Sequence, residues 1–137
     1  MVQIVIYAET YEQAVIDLWR EAFGYSAPHN DPAFVIRQKL EVQPDLFLVA
    51  IEGNDVVGTV MGGYDGHRGW VYSLAVAPGH RGRGIGTLLV REIEKGLRGY
   101  GCAKVNLQIL AGNRAVAAFY KNLGYAVEER IQMGKLL

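Results

Sequence analysis

The stretch from Trp70 to Gly86, WVYSLAVAPGHRGRGIG, contains the change from strand to helix that decides the fold. Its first seven residues, 70–76, are mostly aliphatic or aromatic, which is typical of a buried strand. Pro78 has no N–H to donate to a sheet and ends that strand. Glycines then recur at Gly79, Gly82, Gly84 and Gly86, and an amphipathic helix follows at once. The stretch therefore predicts a strand, a glycine-rich turn and a helix in direct succession.

A turn of this kind can bind an anion. The first turn of a helix has unpaired N–H groups and carries partial positive charge, and glycines let a ligand approach the backbone closely. Phosphate is the anion that such a site suits best. Arg81 and Arg83 add positive charge beside it. The alternative is an ordinary turn with two solvated arginines, because glycine spacing alone is a weak motif.

Two common phosphate-binding motifs do not fit this turn. A P-loop needs Gly-Lys before Ser or Thr, but Thr87 follows Gly86 directly and the loop has no lysine. A dinucleotide fingerprint needs a third glycine or alanine at a fixed spacing and an acid at the end of the next strand. The next predicted strand, Lys104–Leu110, ends without an acid. The pattern that remains is Arg81-x-x-Gly84-x-Gly86.

Composition limits the classes of protein to consider. The 137 residues, half of them apolar, suit one domain that spans residues 1–137. Equal numbers of basic and acidic residues, 14 each, argue against a nucleic-acid partner. One cysteine and three scattered histidines show no metal-ligand spacing, so no metal is expected. The chain has no membrane span or signal sequence that we can identify, which predicts a cytoplasmic protein without a membrane partner.

Periodicity and turn residues predict the other strands and helices. Strands are expected at Val2–Ala8, Leu46–Ile51, Val56–Met61, Lys104–Leu110 and Ala126–Met133, and helices at Tyr11–Phe23, after Asp31-Pro32 and after Asn113. The resulting order, β-α-α-β-β-β-α-β-α-β, predicts an α/β fold. We expect a mixed central sheet of about six strands with helices on both faces.

The sequence also predicts which side chains share a face in one helix and in one strand. In the helix after Asp31-Pro32, the inner face is expected to hold Phe34, Ile36 and Leu40, with Arg37, Lys39 and Glu41 mostly outside. Strand alternation over residues 70–76 places Trp70, Tyr72, Leu74 and Val76 on one face.

Two motifs carry a family resemblance. Arg81-x-x-Gly84-x-Gly86 resembles the acetyl-CoA-binding signature of the GNAT family of N-acetyltransferases. The run NRAVAAFYKNLGY is similar to a second pattern of that family, at Asn113, Tyr120 and Gly124-Tyr125. The predicted order of strands and helices matches the GNAT fold over nearly the whole chain. The runs GHRGWVYSLAV and GCAKVNLQIL further resemble a bacterial subfamily, the YpeA-type acetyltransferases.

The resemblance implies a reaction and an acetyl-CoA site. An acetyl group passes from acetyl-CoA, the co-substrate, to a primary amine of a small molecule or peptide by direct attack. Backbone amides of the glycine-rich turn hold the pyrophosphate, and the strand before it binds pantetheine where the sheet of the family splays open. The positions implied are Leu74, Ala75, Val76, Arg81, Gly82, Arg83, Gly84, Ile85, Gly86, Thr87, Asn113 and Tyr120.

The resemblance also suggests catalytic residues. Tyr120 matches the general acid of the family. Many relatives that act on peptide N-termini have a glutamate base where this chain has Gln108, which cannot accept a proton. The candidates for a base are therefore Tyr72, which could order a water, and His67 or Asp65 in the preceding loop. An ordinary loop or sheet position is the alternative for each, and an amine that binds already neutral needs no strong base.

Several questions stay open at this point. Gln108 also fits a non-catalytic acyl-CoA-binding module, and the sequence does not separate acetyl-CoA from another acyl-CoA. Acceptor contacts are expected from the loops Tyr25–Asn30 and Gly62–Gly69, whose residue types do not identify the amine. Family members often form homodimers, and the oligomeric state here is not decided by the sequence.

Overall fold

The strands and helices follow the predicted order as far as the last predicted helix. The computed structural model describes residues 1–24 and 27–137, which form two units, 1–107 and 108–137, each described by itself. The first unit contains β1 (Val2–Ile6), α1 (Glu12–Phe23), α2 (Pro32–Glu41), β2 (Phe47–Glu52), β3 (Asp55–Tyr64), β4 (Gly69–Val76), α3 (Ile85–Gly99) and β5 (Val105–Leu107). The second unit contains α4 (Arg114–Asn122).

The five strands form one mixed sheet in the order β1-β2-β3-β4-β5. The first four strands pair antiparallel, and β5 pairs parallel to β4. A parallel neighbour needs a crossover connection, which α3 supplies. Neighbouring residues of β2 belong to two different hydrophobic cores, one on each face of the sheet. Val49 packs with α1 and α2, whereas Ala50 packs with α3. The predicted α/β fold with helices on both faces is confirmed.

The buried face of α2 differs from the prediction. Its buried residues are Pro32, Ile36 and Lys39, whereas Phe34 and Leu40 are 37% and 43% exposed. Steps of four and three residues separate the buried positions, so they form one stripe of the helix. The expectation that Lys39 lies outside is therefore wrong, because helical spacing from Ile36 places it on the inner face. Only 5% of its surface is exposed.

A β-bulge interrupts β4. Thr59 pairs with Ala75, but Met61 pairs with Tyr72, so one extra residue of β4 is inserted between these pairs. Ser73 lies in the bulge with a φ of 54°, a left-handed conformation that costs energy for any residue with a Cβ. The surrounding structure must therefore hold Ser73 in place.

A buried hydrogen-bond chain holds the bulge. The indole Nε1–H of Trp19 donates to Thr59 Oγ1 at 2.8 Å. The Thr59 hydroxyl in turn donates to the carbonyl of Ser73 at 3.0 Å. Thr59 is fully buried, so each of these polar groups would lose its partner without the hydroxyl.

The bulge changes the faces of β4. Leu74 and Val76 pack with the α3 cluster, while Ala75 packs with α1 and α2. Tyr72 lies on the α2 side, where Lys39 Nζ is 5.7 Å from its ring centroid. The prediction that Tyr72, Leu74 and Val76 share one face is wrong, because the extra residue reverses the alternation.

The loop between β3 and β4 is shorter than predicted. Residues 62–64 belong to β3, so only 65–68 connect the strands. The glycines allow close approach, as expected: a Cβ on Gly62 would lie 2.7 Å from Ile93 Cγ1, and one on Gly69 would lie 2.6 Å from Cys102 Sγ. Of the other predicted loop, Tyr25–Asn30, the residues Tyr25 and Ser26 lie outside the described residues.

The predicted sixth strand, Ala126–Met133, is absent. The sheet has five strands, and residues 125–137 have no regular secondary structure. The alternation of Val127 and Ile131 with polar neighbours suggested a strand, but a strand also requires a paired neighbour. Within residues 108–137 the single helix α4 supplies none. The strand predicted at Lys104–Leu110 is likewise shortened, to the three residues of β5.

The length and charge of the described helices decide whether any of them could span a membrane. The longest in the described parts of the chain, α3, has 15 residues and carries five charged side chains. None of the helices that the structure describes is long and apolar enough to cross a membrane.

The hydrogen-bond chain leads to a prediction about stability. Thr59→Val should lower the free energy of unfolding by about 2–4 kcal/mol, because the Trp19 N–H and the Ser73 carbonyl both lose a buried partner. Thr59→Ser keeps the hydroxyl and should lose only about 1 kcal/mol for the missing methyl group. Urea denaturation measures both values. Equal losses for the two variants would show that the hydroxyl does not hold the bulge.

Candidate active site

The sheet opens beside the end of β4. The parallel pairing with β5 runs from Gly69↔Val105 to Val71↔Leu107 and stops there. From Tyr72 to Val76, β4 has β3 as its single strand neighbour within residues 1–107. The other edge of this part of β4 is therefore available to a ligand in that unit. Leu74, Ala75 and Val76, predicted to bind acetyl-CoA through their backbone, all lie on it.

The start of α3 is the second part of the site. Gly84 is the N-cap in a left-handed conformation with a φ of 78°, and Gly82 has a φ of 79°. The first hydrogen bond of the helix runs from Leu88 N–H to the Gly84 carbonyl at 3.1 Å. The N–H groups of residues 85–87 precede it and have no partner within the helix. The buried side chain of Ile85 anchors this turn to the α3 core.

Open space faces the glycines of this loop. A Cβ added to Gly79, Gly82 or Gly84 would meet no heavy atom within 4 Å. Free N–H groups, the positive end of a helix and room for close approach are the features that a phosphate needs. The residues present therefore fit the pyrophosphate of acetyl-CoA.

The two arginines of the loop have partners inside the protein. Arg81 Nε donates to the Val76 carbonyl at 3.1 Å, which joins the loop to the end of β4. Arg83 donates to both carboxylate oxygens of Glu52, at 2.6 and 3.2 Å, and His80 Nε2 lies 3.5 Å from the same carboxylate. The hydrogen bond from Arg83 lowers the pKa of Glu52. Arg83 is thus paired with a carboxylate, whereas Arg81, bonded to a neutral carbonyl, keeps its positive charge beside the loop.

Tyr72 and Lys39 lie where β4 and β5 part. Tyr72 is the first residue beyond the last β4–β5 pair and is 40% exposed, and partial burial raises the pKa of its hydroxyl. Lys39 donates from Nζ to the carbonyl of Gly62 and lies over the Tyr72 ring. Burial lowers the pKa of Lys39 to about 8, against a smaller opposite effect of Asp45.

Asp65 and His67 lie at the other end of β4. The Asp65 carboxylate accepts hydrogen bonds from the backbone N–H groups of Arg68 and His67, at 2.7 and 2.8 Å, and from Trp70 Nε1 at 3.2 Å. These bonds lower the pKa of Asp65 to about 2, so it cannot accept a proton near neutral pH. His67 is exposed and precedes the part of β4 that still pairs with β5. The structure does not bring it to the opening beside Tyr72.

The cysteine has a packing role. Cys102 donates its thiol to the Lys104 carbonyl at 3.2 Å and lies against Gly69. Across residues 1–24 and 27–137, no three His, Cys, Asp or Glu side chains are grouped so that they could hold a metal ion.

In residues 108–137, both ends of α4 are capped. The side chain of Asn113 accepts from Val116 N–H at 3.3 Å, so Asn113 is the N-cap of the helix that was expected to follow it. At the other end Gly124 is left-handed with a φ of 97°, and Tyr125 N–H donates to the Tyr120 carbonyl at 3.0 Å. This is a Schellman motif, in which the residue after the glycine also packs against the last turn.

The motif encloses the Tyr120 ring. Phe119 and Tyr125 lie edge-on to it, with ring centroids 5.0 and 5.4 Å away. Tyr120 is 6% exposed, and burial raises its pKa to about 12. The hydroxyl therefore stays protonated at physiological pH and can only donate a hydrogen bond or a proton.

Sequence reasoning missed three residues of this region. Lys39 could have been found, because helical spacing from Ile36 predicts its burial. Glu52 directly follows the predicted strand Leu46–Ile51, and no local pattern shows that it pairs with Arg83, 31 positions further on. Nothing in the residue type predicts the left-handed backbone of Ser73, because glycine and asparagine are the residues usually found there.

The chain is similar to known acetyltransferases along its length. A family model described as the acetyltransferase (GNAT) family matches residues 12–125. An acetyltransferase of Pectobacterium atrosepticum is 45% identical over 135 residues, which are 98% of this chain and 95% of that protein. One from Sodalis glossinidius is 46% identical over 126 residues, 91% of this chain and 88% of that protein.

A solved structure shares the fold at low sequence identity. It is AAC(6')-Iy in complex with the bisubstrate analogue CoA-S-monomethyl-acetylneamine. The TM-score is 0.80 and the identity 16%, and the match covers 100% of this chain and 99% of that chain.

The geometry of the glycine loop predicts the effect of a side chain at Gly84. Gly84→Val should weaken acetyl-CoA binding at least tenfold, because the new side chain fills the open space in front of the N–H groups. Isothermal titration calorimetry measures the affinity. Unchanged affinity would mean that the start of α3 does not bind the pyrophosphate.

Gly101→Val is the matched control. Gly101 also has a left-handed φ, 88°, with no atom near an added Cβ, and it follows α3 rather than preceding it. Both variants carry a strain of about 1–2 kcal/mol, so their stabilities should fall by similar amounts. The Gly101 variant should keep its acetyl-CoA affinity.

Proposed function

The chain belongs to the GNAT family of acetyltransferases and is an acyltransferase, and we propose that it transfers acetyl from acetyl-CoA to a primary amine of a small molecule or peptide. The observation that carries this proposal is the open edge of β4, which leads directly into the glycine loop before α3. We further propose that residues 1–137 act as one cytoplasmic domain. Residues 108–137 contain one helix and are too few for a core of their own.

Because the open edge of β4 leads into the glycine loop, the direction in which acetyl-CoA lies along the site can be proposed. With the pyrophosphate at the N–H groups of residues 85–87, the pantetheine arm runs back along β4 from Val76. The four steps to Tyr72 span about 13 Å. The thioester then lies near the Ser73 bulge, where β4 and β5 part.

The proposed reaction is direct attack. The lone pair of a neutral amine forms a C–N bond to the thioester carbon, and the carbonyl becomes an oxyanion. When the carbonyl re-forms, the C–S bond breaks and coenzyme A leaves as a thiolate, while the nitrogen loses a proton. Backbone N–H groups on the open edge of β4 are suited to stabilise the oxyanion, and one such donor contributes about 3–4 kcal/mol.

Tyr120 is proposed as the acid, by its match to the family motif. A hydroxyl with a pKa of about 12 is a weaker acid than a thiol, whose pKa is about 8.5. Full proton transfer to the thiolate is therefore uphill, and Tyr120 acts mainly by donating a hydrogen bond to the departing sulfur. Asn113 is proposed to contact pantetheine in addition to capping α4.

Tyr72 is the candidate base whose position fits the opening of the sheet. Gln108 and Asp65 cannot accept a proton near neutral pH. Of the two other candidates that the sequence suggested, Tyr72 lies at the opening of the sheet and His67 does not, so we propose that Tyr72 orders the acceptor or a water. The raised pKa of Tyr72 makes its phenolate rare, so Tyr72 itself is a poor base.

Two alternatives compete with this function. Gln108 is the feature that favours a non-catalytic acyl-CoA-binding module, whereas the similarity to acetyltransferases along the chain favours catalysis. A transferase that uses another acyl-CoA is the second alternative. AAC(6')-Iy, which shares the fold, is bound to a bisubstrate analogue named CoA-S-monomethyl-acetylneamine, and this supports acetyl transfer here by analogy of fold.

One experiment separates these possibilities. Calorimetry with acetyl-CoA is followed, on the same sample, by thiol release against a panel of primary amines and with propionyl- and succinyl-CoA as other donors. Saturable binding with amine-dependent thiol release supports the proposed function. Binding without release from any amine supports the non-catalytic module, and faster release from another donor supports a different acyl group.

The pKa of Tyr120 leads to a prediction about turnover. Tyr120→Phe should lower kcat about 10–100-fold and leave acetyl-CoA affinity unchanged, because one hydrogen bond to the leaving sulfur is lost. Steady-state thiol release and calorimetry measure the two effects. Tyr125→Phe keeps the aromatic packing of the Schellman motif and should retain full kcat. An unchanged kcat for Tyr120→Phe would assign Tyr120 to packing alone.

A further inference from the structure

Lys39 is a buried cation beside the proposed acceptor site. It is 5% exposed, its Nζ donates to the Gly62 carbonyl, and it forms no salt bridge within the described residues. A buried charge without a paired opposite charge is costly, so such a residue weakens the fold unless something offsets it. The catalytic steps described so far do not use it.

Within the described residues, no carboxylate contacts the Lys39 ammonium closely enough for a salt bridge. From β4, Tyr72 presents its ring, and from β3, Gly62 presents its carbonyl. The nearby carboxylate is Asp45, in the short segment Pro44–Leu46, and it accepts hydrogen bonds from Tyr100 at 2.7 and 2.9 Å. Asp45 attracts the ammonium without contacting it, so part of the positive charge stays uncompensated.

The position of Tyr72 connects this charge to the reaction. Tyr72 is the first residue of β4 beyond the β5 pairing and precedes the Ser73 bulge, where the thioester is proposed to lie. One side of its ring faces Lys39, and 40% of the residue is exposed. An amine that reaches the thioester at this point has Tyr72 between itself and the buried ammonium.

We propose that the buried ammonium of Lys39 favours the neutral, attacking form of the acceptor amine bound beside Tyr72, and so replaces a general base. The acceptor loses its proton to water before attack, and its lone pair then forms the C–N bond. No proton acceptor other than solvent is needed. This inference rests on the proposed acetyl transfer to an amine.

The size of the effect follows from electrostatics. A like charge nearby disfavours the protonated form of an amine. At about 10 Å and an effective dielectric constant of about 20, one unit charge lowers the pKa of the bound amine by about one unit, which is a tenfold larger neutral fraction. Lys39 keeps its charge below its own pKa of about 8, so the effect should be greatest at and below neutral pH.

The test is the pH dependence of kcat, which reports ionisations in the bound complex. With a primary amine that supports turnover, kcat rises with pH as the bound amine loses its proton. At about pH 6–7, where Lys39 is charged, the kcat of Lys39→Met should be about tenfold below the wild-type value, and the two values should converge above about pH 8, where Lys39 is neutral. In Lys39→Arg, which stays charged, kcat at about pH 6–7 should keep the wild-type value. Lys39→Gln is a second neutral variant in case Met does not fold.

Lys95→Met is the matched control. Lys95 is exposed on α3, ten positions beyond its start, so its loss should leave the pH profile unchanged. Melting temperature is measured in parallel. A merely structural Lys39 would lower the melting temperature of Lys39→Met and reduce kcat equally at all pH values.

The outcomes distinguish the inference from the function on which it rests. Amine-dependent turnover in Lys39→Met at a constant fraction of the wild-type kcat across the pH range overturns the inference and leaves acetyl transfer intact. No amine-dependent thiol release from the wild-type protein overturns acetyl transfer to an amine, and the inference with it. A loss of kcat in Lys39→Met that is confined to pH values below about 8, and that Lys39→Arg does not show, supports the inference.

Discussion

The hydroxyl of Thr59 is the constraint on which the active site depends. It accepts from Trp19 and donates to the Ser73 carbonyl in a fully buried position, and so fixes the left-handed residue of β4. Before that residue, the side chain of Tyr72 points towards α2. After it, Leu74 and Val76 point towards α3. Ser73 also lies just beyond Val71, the last residue of β4 that pairs with β5. The bulge therefore coincides with the opening of the sheet, and it determines which side chains of β4 lie around that opening.

The charged side chains of this site bond to the protein itself, while the contacts proposed for acetyl-CoA come from the main chain. Arg81 donates a hydrogen bond to the end of β4, and Arg83 donates to Glu52. Asp65 accepts hydrogen bonds from N–H groups of its own loop. Each of these charged groups stabilises a local conformation. The groups left for an acyl donor are the backbone N–H groups before Leu88 and those on the free edge of β4. A site of this kind needs few charged residues to bind a phosphate, because the helix start provides the partial charge.

The sequence predicted the fold better than the site. Strand and helix order could be read from periodicity, and local caps such as Asn113 and Gly124 follow from the conformations that these residue types favour. The glycine loop was found for the same reason. The bulge could not be predicted, because Ser73 has no conformational preference for a positive φ and is held by a threonine 14 positions away. The missing sixth strand and the Arg83–Glu52 pair likewise depend on partners that alternation and residue type do not specify.

The division between main chain and side chain has a consequence for how such a protein can change over generations. A donor site built from peptide groups is retained through most amino-acid replacements, provided that the glycines remain. Residues around the acceptor are free of that constraint and can diverge rapidly. Lineages that keep the same scaffold and the same acyl donor can therefore acquire new acceptor amines by exchanging a few loop residues, while the proposed donor site stays unchanged.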